Sequence, residues 1–398
     1  MYSGISGMKN FQTKLDVIGN NIANVNTFGY KKGRITFKDT MNQMISGAST
    51  AQNGRGGKNP MQVGLGSAIA SIDTIDTQGS VQTTGRALDL AVSGDGYFVV
   101  KQGSQEFYSR AGNFYLDQNG TLVNTDGLKV QSYKNGLLQD INVNVNSLLP
   151  AKQSANISMQ GNLPEDAKGQ ATLIQQIQAV DNNGVAHTVE MTIKPIDPAN
   201  GKWNVSFVDN TLKDPIANTL SQDITIPPYD PNSPPPDINI QLKLNDGSGN
   251  PQPLDLTLSI KDLTKNAGNM DAQAITDGNT EGSLESFNIS SSGEVNGVFS
   301  NGLVMPLGRL ALAKFSNPSG LEKAGGNLFR QSVNSGLPNI DVAGNGRGTI
   351  MPGSLEMSNV DLSEEFTDMI TAQRGFQANT KIITTSDEIL QELVNLKR

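Results

Sequence analysis

A mainly β chain closed at each end by an α-helix is predicted by three features of this sequence of 398 residues. The first and last segments carry apolar residues at heptad spacing, the interior changes to a period of two, and turn residues recur there roughly every eight to twelve positions. A chain of this length also exceeds one ordinary core, so two or three domains are expected.

At the N-terminal end Met8, Phe11, Leu15, Ile18, Ile22 and Val25 are spaced alternately by three and four, a coiled-coil seam. A helix over 5–25 would be about 30 Å long. It should end where Asn26, Thr27 and Gly29 supply helix-stopping chemistry. Asn20, Asn21, Asn24 and Asn26 crowd its last turns. Asparagine is a poor helix former, so these side chains suit hydrogen bonding between subunits or around the bend; a solvated face is the plainer alternative.

At the other end a helix should begin near Asp361, capped by Ser358 or Asn359, with Glu364 and Glu365 favoured in its first turn by the helix dipole. Its seam runs through Leu362, Phe366, Met369, Phe376, Ile383, Leu390 and Val394, interrupted by Gln373, Thr380 and Asp387, and it closes on Lys397 and Arg398. A helix of three heptads is near the lower limit of independent stability. The two seams therefore predict helices that pair with each other and then with neighbouring copies.

Between them, apolar runs flank Ser93, Gly94, Asp95 and Gly96 as in a hairpin, and Asn119–Gly120 marks a second turn. Ile238, Ile240, Leu242 and Leu244, then Leu254, Leu256, Leu258 and Ile260, alternate strictly, as half-buried strands do. Six prolines between Pro227 and Pro236 read as an extended loop, and the Gly-rich stretch Ser46–Gly66 as an extended arm. The order predicted is a helical core from 1–26 and 360–398, a linking arm from 27–70 and 353–359, a β-rich domain from 71–145 and 284–352, and an inserted outer β domain from 146–283.

Composition narrows the chemistry. With 30 basic and 38 acidic side chains the net charge is -8, and no basic stripe suits nucleic acid. The absence of cysteine and the single histidine, His187, remove thiol nucleophiles, disulfides and nearly every histidine-dependent triad. His187 keeps step with Val185, Val189, Met191 and Ile193, as a core or rim residue would, and no second ligand is apparent. Asp181–Gly184 and Asn245–Asn250 lack the spacing of a calcium loop. The run from Gly344 to Gly348 lacks the strand-to-helix setting of a dinucleotide fingerprint. No catalytic, cofactor or metal residue is assigned, and an enzyme is not expected. No run of about 18 apolar residues could span a bilayer, and no cleavable signal pattern opens the chain.

The run from Leu15 to Lys31, containing Gly19-Asn20-Asn21-Ile22-Ala23-Asn24, resembles the N-terminal signature of flagellar rod and hook axial proteins. Leu355–Leu362 and Ala372–Asn379 resemble the C-terminal signature, and Gly94–Phe98 and Tyr108–Phe114 the β domain of that family. The likeness covers roughly 1–145 and 284–398. It implies a structural subunit that forms a helical polymer of itself, meets rod, hook-cap and hook–filament-junction proteins, and leaves the cell through the flagellar export apparatus without signal cleavage, to an extracellular place, with no membrane insertion. The extra residues 146–283 point to hook members; a distal rod protein is the alternative within the family. An extracellular β-rich hydrolase or glycan-binding module is the alternative outside it. The assembly residues implied are the two seams together with Asn20, Asn21 and Asn24, and both ends are expected to order only on assembly.

Overall fold

The computed structural model describes residues 2–50, 56–144, 148–166, 172–226, 235–245 and 250–396. It divides into two compact units. One comprises Met1–Asn144, Phe287–Gly297 and Met305–Arg398; the other comprises Val145–Ser286 and Val298–Val304.

In the first unit, α1 (Tyr2–Ala23) and α2 (Leu362–Asn395) lie side by side. They run antiparallel: Asn21 meets Glu365, Lys14 meets Asp368, Met8 meets Thr380, and Gly4 faces Ile383. At 1.5 Å per residue α1 is about 33 Å long and α2 about 51 Å, so the last dozen residues of α2 pass beyond the start of α1. The N-cap of α2 is Asp361, whose carboxylate accepts from the Ser363 and Glu364 amides, in place of the expected Ser358 or Asn359. Asn359 instead accepts from the Lys32 amide at 2.8 Å and donates to the Ile75 carbonyl at 2.8 Å. Lys397 and Arg398 lie outside the described residues.

Beyond α1 the chain forms a long two-stranded ribbon. Strand β1 (Gly33–Asp39) pairs with β4 (Ser67–Thr74), and β2 (Asn42–Ser46) pairs with β3 (Met61–Gly64). The near end packs on α1, with the Phe11 and Phe37 rings 6.4 Å apart and Asn10 donating to Ser67 at 2.8 Å. Every residue of β2 and β3 is exposed.

The rest of this unit is a β domain centred on strand Tyr97–Gln102, which pairs with Gln105–Ser109, Lys129–Lys134 and Ala311–Lys314. Tyr97, Val99, Tyr108, Phe315 and Phe329 form a core on one side, and Phe98 meets Phe114 edge-on at 5.1 Å. The hairpin expected at Ser93–Gly96 is absent: Leu90–Ser93 pairs with Thr349–Pro352, in a different sheet from Tyr97–Gln102. Leu90–Val92 and Tyr97–Val100 are buried on both faces, so no alternating pattern tied one to the other and distant partners decided the pairing. The turn at Asn119–Gly120 does join paired strands, Tyr115–Leu116 and Leu122–Val123.

The second unit holds two four-stranded sheets around a shared core that contains Trp203, Phe207, Ile157, Met159 and Met191, each fully buried. The two alternating segments pair antiparallel, with Ile240 opposite Leu256 and Leu242 opposite Leu254. The proline-rich stretch at 227–234 and the loop at 246–249 lie outside the described residues.

Candidate subunit-assembly surface

Close approach between the helices depends on small residues that the heptad reading passed over. A Cβ on Gly375 would stand 2.6 Å from the Phe11 ring, so this glycine is the notch into which Phe11 fits. A Cβ on Gly7 would press on Asn379 at 2.9 Å, and Gly4 faces Ile382 and Ile383. Gly4 and Gly7, like Ala372 and Gly375, are three apart and share a helix face; that spacing was present in the sequence as a signal. Ion pairs flank the contact, Lys14–Asp368 at 3.2 Å and Lys32–Glu364 at 2.7 Å.

The predicted seam residues divide. Ile18 and Asn21 are buried; Met8, Phe11, Leu15, Ile22, Asn24, Val25, Met369, Phe376 and Ile383 are half-buried; Asn20, Leu362, Phe366, Leu390 and Val394 are exposed. The asparagines bind around the bend. Asn21 exchanges two 2.9 Å hydrogen bonds with the Gly33 backbone and donates to Glu365, and Tyr30 donates to Asn20 at 2.7 Å. Asn24 donates to the Asn20 carbonyl and accepts from Thr27.

At the root of the helices lies a buried charge cluster that sequence reading missed. Lys31 Nζ donates to Glu356 Oε1 at 2.7 Å and to the Thr77 carbonyl at 2.8 Å. Arg110 Nη1 reaches Glu356 Oε2 at 3.3 Å, and the Gly79 amide donates to Glu356 Oε1 at 3.0 Å. The side chains of Lys31, Arg110 and Glu356 are 1%, 3% and 0% exposed. The Arg110 guanidinium lies 5.1 Å from the Tyr97 ring centroid, and Tyr97 donates to Asp76 at 2.7 Å. Burial pushes the Lys31 ammonium below its ordinary value, against the opposing pull of Glu356. Burial, then the Asp76 charge, pushes the Tyr97 phenol well up. One carboxylate thus ties the N-terminal segment, the C-terminal segment and the β domain together. Gly29 completes the joint: its amide donates to the Glu356 carbonyl at 2.8 Å, and its φ of +69° is one a side chain would resist.

Among the described residues, the end of α2 and the far end of the ribbon each leave a run of apolar side chains uncovered. From Asp387 through Leu396, which caps α2, every residue is exposed, including Ile389, Leu390, Leu393, Val394 and Leu396 at 47–82%. Ile382, Ile389, Leu393 and Leu396 make a second stripe beside the predicted one. The far end of the ribbon shows Met41, Met44, Ile45, Met61 and Val63 at 51–79%.

His187 sits between Asp181 at 3.5 Å and Asp209 at 3.6 Å, on opposite ring nitrogens, which is not the geometry of a shared ion. Among the described residues no group of three His, Cys, Asp or Glu side chains could hold a metal. Asp181–Gly184 closes as a turn, with the Gly184 amide on the Asp181 carbonyl at 3.1 Å.

Comparison with known proteins agrees along the whole chain. Residues 1–31 match the family described as flagella basal body rod protein, 91–164 the flagellar hook protein FlgE/F/G D1 domain, and 351–396 the flagellar basal body rod FlgEFG protein C-terminal family. The flagellar hook protein FlgE of Borreliella burgdorferi is 40% identical, over 100% of this chain and 99% of its own. The flagellar basal-body rod protein FlgG of Bacillus subtilis is 37% identical, over 100% and 98%. The crystal structure of Helicobacter pylori flagellar hook protein FlgE2 shares the fold at a TM-score of 0.51 and 15% identity, covering 69% of this chain and 100% of that one. With hook-protein relatives matched from end to end, rod-family models at both termini and the hook D1 model between them, the chain belongs to the flagellar hook protein family.

Proposed function

We propose that this structural subunit of the bacterial flagellar hook joins its copies through the two terminal helices, forming the inner wall of a flexible tube that transmits torque. The uncovered end of α2 carries the proposal. Five large apolar side chains stand in water there, each worth roughly 1 kcal/mol or more if a partner covers it, and the same helix is packed where α1 covers it. Charge supports a second copy as that partner. Residues 1–39 hold six basic and two acidic side chains, net +4, whereas 361–396 hold seven acidic and two basic, net -5. The exposed end bears Asp387, Glu388 and Glu392, and Lys9 and Lys38 are exposed at the N-terminal side.

The other segments take distinct jobs. The ribbon within 27–70 bridges to a neighbouring copy through its far end, because a two-stranded sheet exposed on both faces, as β2 and β3 are, is marginal alone. The β domains form an outer shell whose polar contacts slide and re-form as the tube bends. Rod, hook-cap and hook–filament-junction proteins meet the polymer at its ends, after export as an unfolded chain to the cell exterior. Before assembly the two ends are disordered, which amide NMR of the monomer tests: coil shifts in the first 60 or so residues support it, and protected helices contradict it.

A chain ending at residue 386 tests the helix end. It should form no tubes while its single tryptophan, Trp203, keeps its buried fluorescence. Tubes of normal width from the shortened chain would reject the proposal. The full-length match to a rod protein keeps one second reading, a subunit of the distal rod, and electron microscopy separates a straight polymer from a curved one.

A further inference from the structure

We propose that the far end of the ribbon is a peroxide-sensitive modification site, at which oxidation of Met41, Met44 and Met61 to sulfoxides blocks docking on a neighbouring copy. The inference rests on the bridging role given to the ribbon above. Among the described residues these are the three most exposed methionines, at 79%, 60% and 58%. They occupy one short ladder: Met44 is paired with Gln62, Met61 with Ser46, and the Met41 carbonyl accepts the Leu65 amide at 3.2 Å. Met159 and Met191, by contrast, are fully buried in the second unit.

The chemistry needs only hydrogen peroxide. The thioether sulfur attacks the peroxide oxygen, the O–O bond breaks as the S–O bond forms, and proton transfer releases water. The sulfur gives up two electrons and the peroxide takes them. The product is no longer a pliable apolar side chain but one with a strong dipole and an acceptor oxygen. A surface that docks by burying methionine gains from its adaptability, and loses when each buried sulfoxide must find a donor. Once a neighbouring copy covers the ribbon, the thioethers are shielded, so the switch acts on unassembled subunits. Sulfoxide leaves the ladder free to form on assembly, because no methionine side chain contributes to its backbone pairing.

The test treats dilute full-length chain with millimolar peroxide, maps sulfoxides by peptide mass spectrometry, removes the oxidant, and follows assembly by sedimentation and electron microscopy. Sulfoxide should appear at Met41, Met44 and Met61 before Met159 or Met191, and assembly should slow by about tenfold or more. Methionine sulfoxide reductases should restore it, and the M41L/M44L/M61L chain should assemble equally with and without peroxide. Normal assembly of a chain carrying all three sulfoxides would overturn the proposal. So would equal inhibition of the leucine variant, which would place the sensitive sulfur elsewhere. Untreated chain that never polymerises would overturn the bridging reading and this one with it, whereas treated and untreated chains polymerising alike would overturn the switch alone.

Discussion

Replacing Glu356 by glutamine should loosen the root of both helices while leaving the second unit untouched. The carboxylate holds Lys31 at 2.7 Å and Arg110 at 3.3 Å, and it accepts the Gly79 amide at 3.0 Å. E356Q preserves shape but leaves two cations, 1% and 3% exposed, without their shared counter-charge. Breaking a buried pair in this way costs about 3–5 kcal/mol. The Asp76 charge still acts on Lys31, so the lower end, about 3 kcal/mol or a hundredfold in the opening equilibrium, is the figure to expect. Hydrogen exchange on the assembled polymer, where the ends are ordered, reads it directly. The Gly29 and Lys32 amides, bonded to the Glu356 carbonyl and the Asn359 side chain, should lose roughly a hundredfold in protection. Trp203 provides the internal control, since it lies in the other unit and its denaturation midpoint should not move. Adding K31M to E356Q removes one stranded cation, so the double variant should cost less than the sum of the single ones. Unchanged protection at Gly29 in E356Q would mean that this carboxylate does not hold the joint together.

Further outcomes follow from the same contacts. G375V places methyl groups where the Phe11 ring lies and should cost about 1–3 kcal/mol of helix pairing, seen in the assembled polymer as lost amide protection along α1. Tyr97 and Tyr108 have phenols raised by burial above the ordinary 10.0. Their contribution is therefore complete below pH 10 and is lost as pH climbs beyond it, so tyrosinate absorbance should appear in step with unfolding. Lys31 and Lys323 are lowered and oppose this trend just below 10.5. A piece spanning 71–352 should fold but lacks strand Ser354–Glu356 and leaves Arg110 unpaired; extending it to residue 360 should add about 2 kcal/mol, read by urea denaturation.

What could be read from the sequence was whatever local periodicity encodes. The seam through Met8, Phe11, Leu15 and Ile18 announced a helix with one apolar face, and the alternation at 238–244 and 254–260 announced two half-buried strands that do pair. The partner's contribution was less visible, since Gly375 gains meaning only when Phe11 is seen to fill its notch. The charge cluster was not legible, because Glu356 stands 325 residues from Lys31 and 246 from Arg110, and isolated charges ordinarily read as solvated. The turn at Ser93–Gly96 misled for the opposite reason: flanking strands buried on both faces carry no sign of which neighbour they pair with. The Ile382, Ile389, Leu393 and Leu396 stripe escaped because a strict heptad frame follows one row, whereas a helix packed on several neighbours uses adjacent rows.

In the proposed tube, the polymer holds together because the apolar rows of the terminal helices find other copies of the chain. A cryo-electron microscopy reconstruction of the purified polymer would show this joint. Ile389, Leu393 and Leu396 of one copy should be covered by a neighbouring copy on the inner wall of the tube. If those side chains face water in the polymer, or are covered only by their own chain, the helix ends do not join the copies.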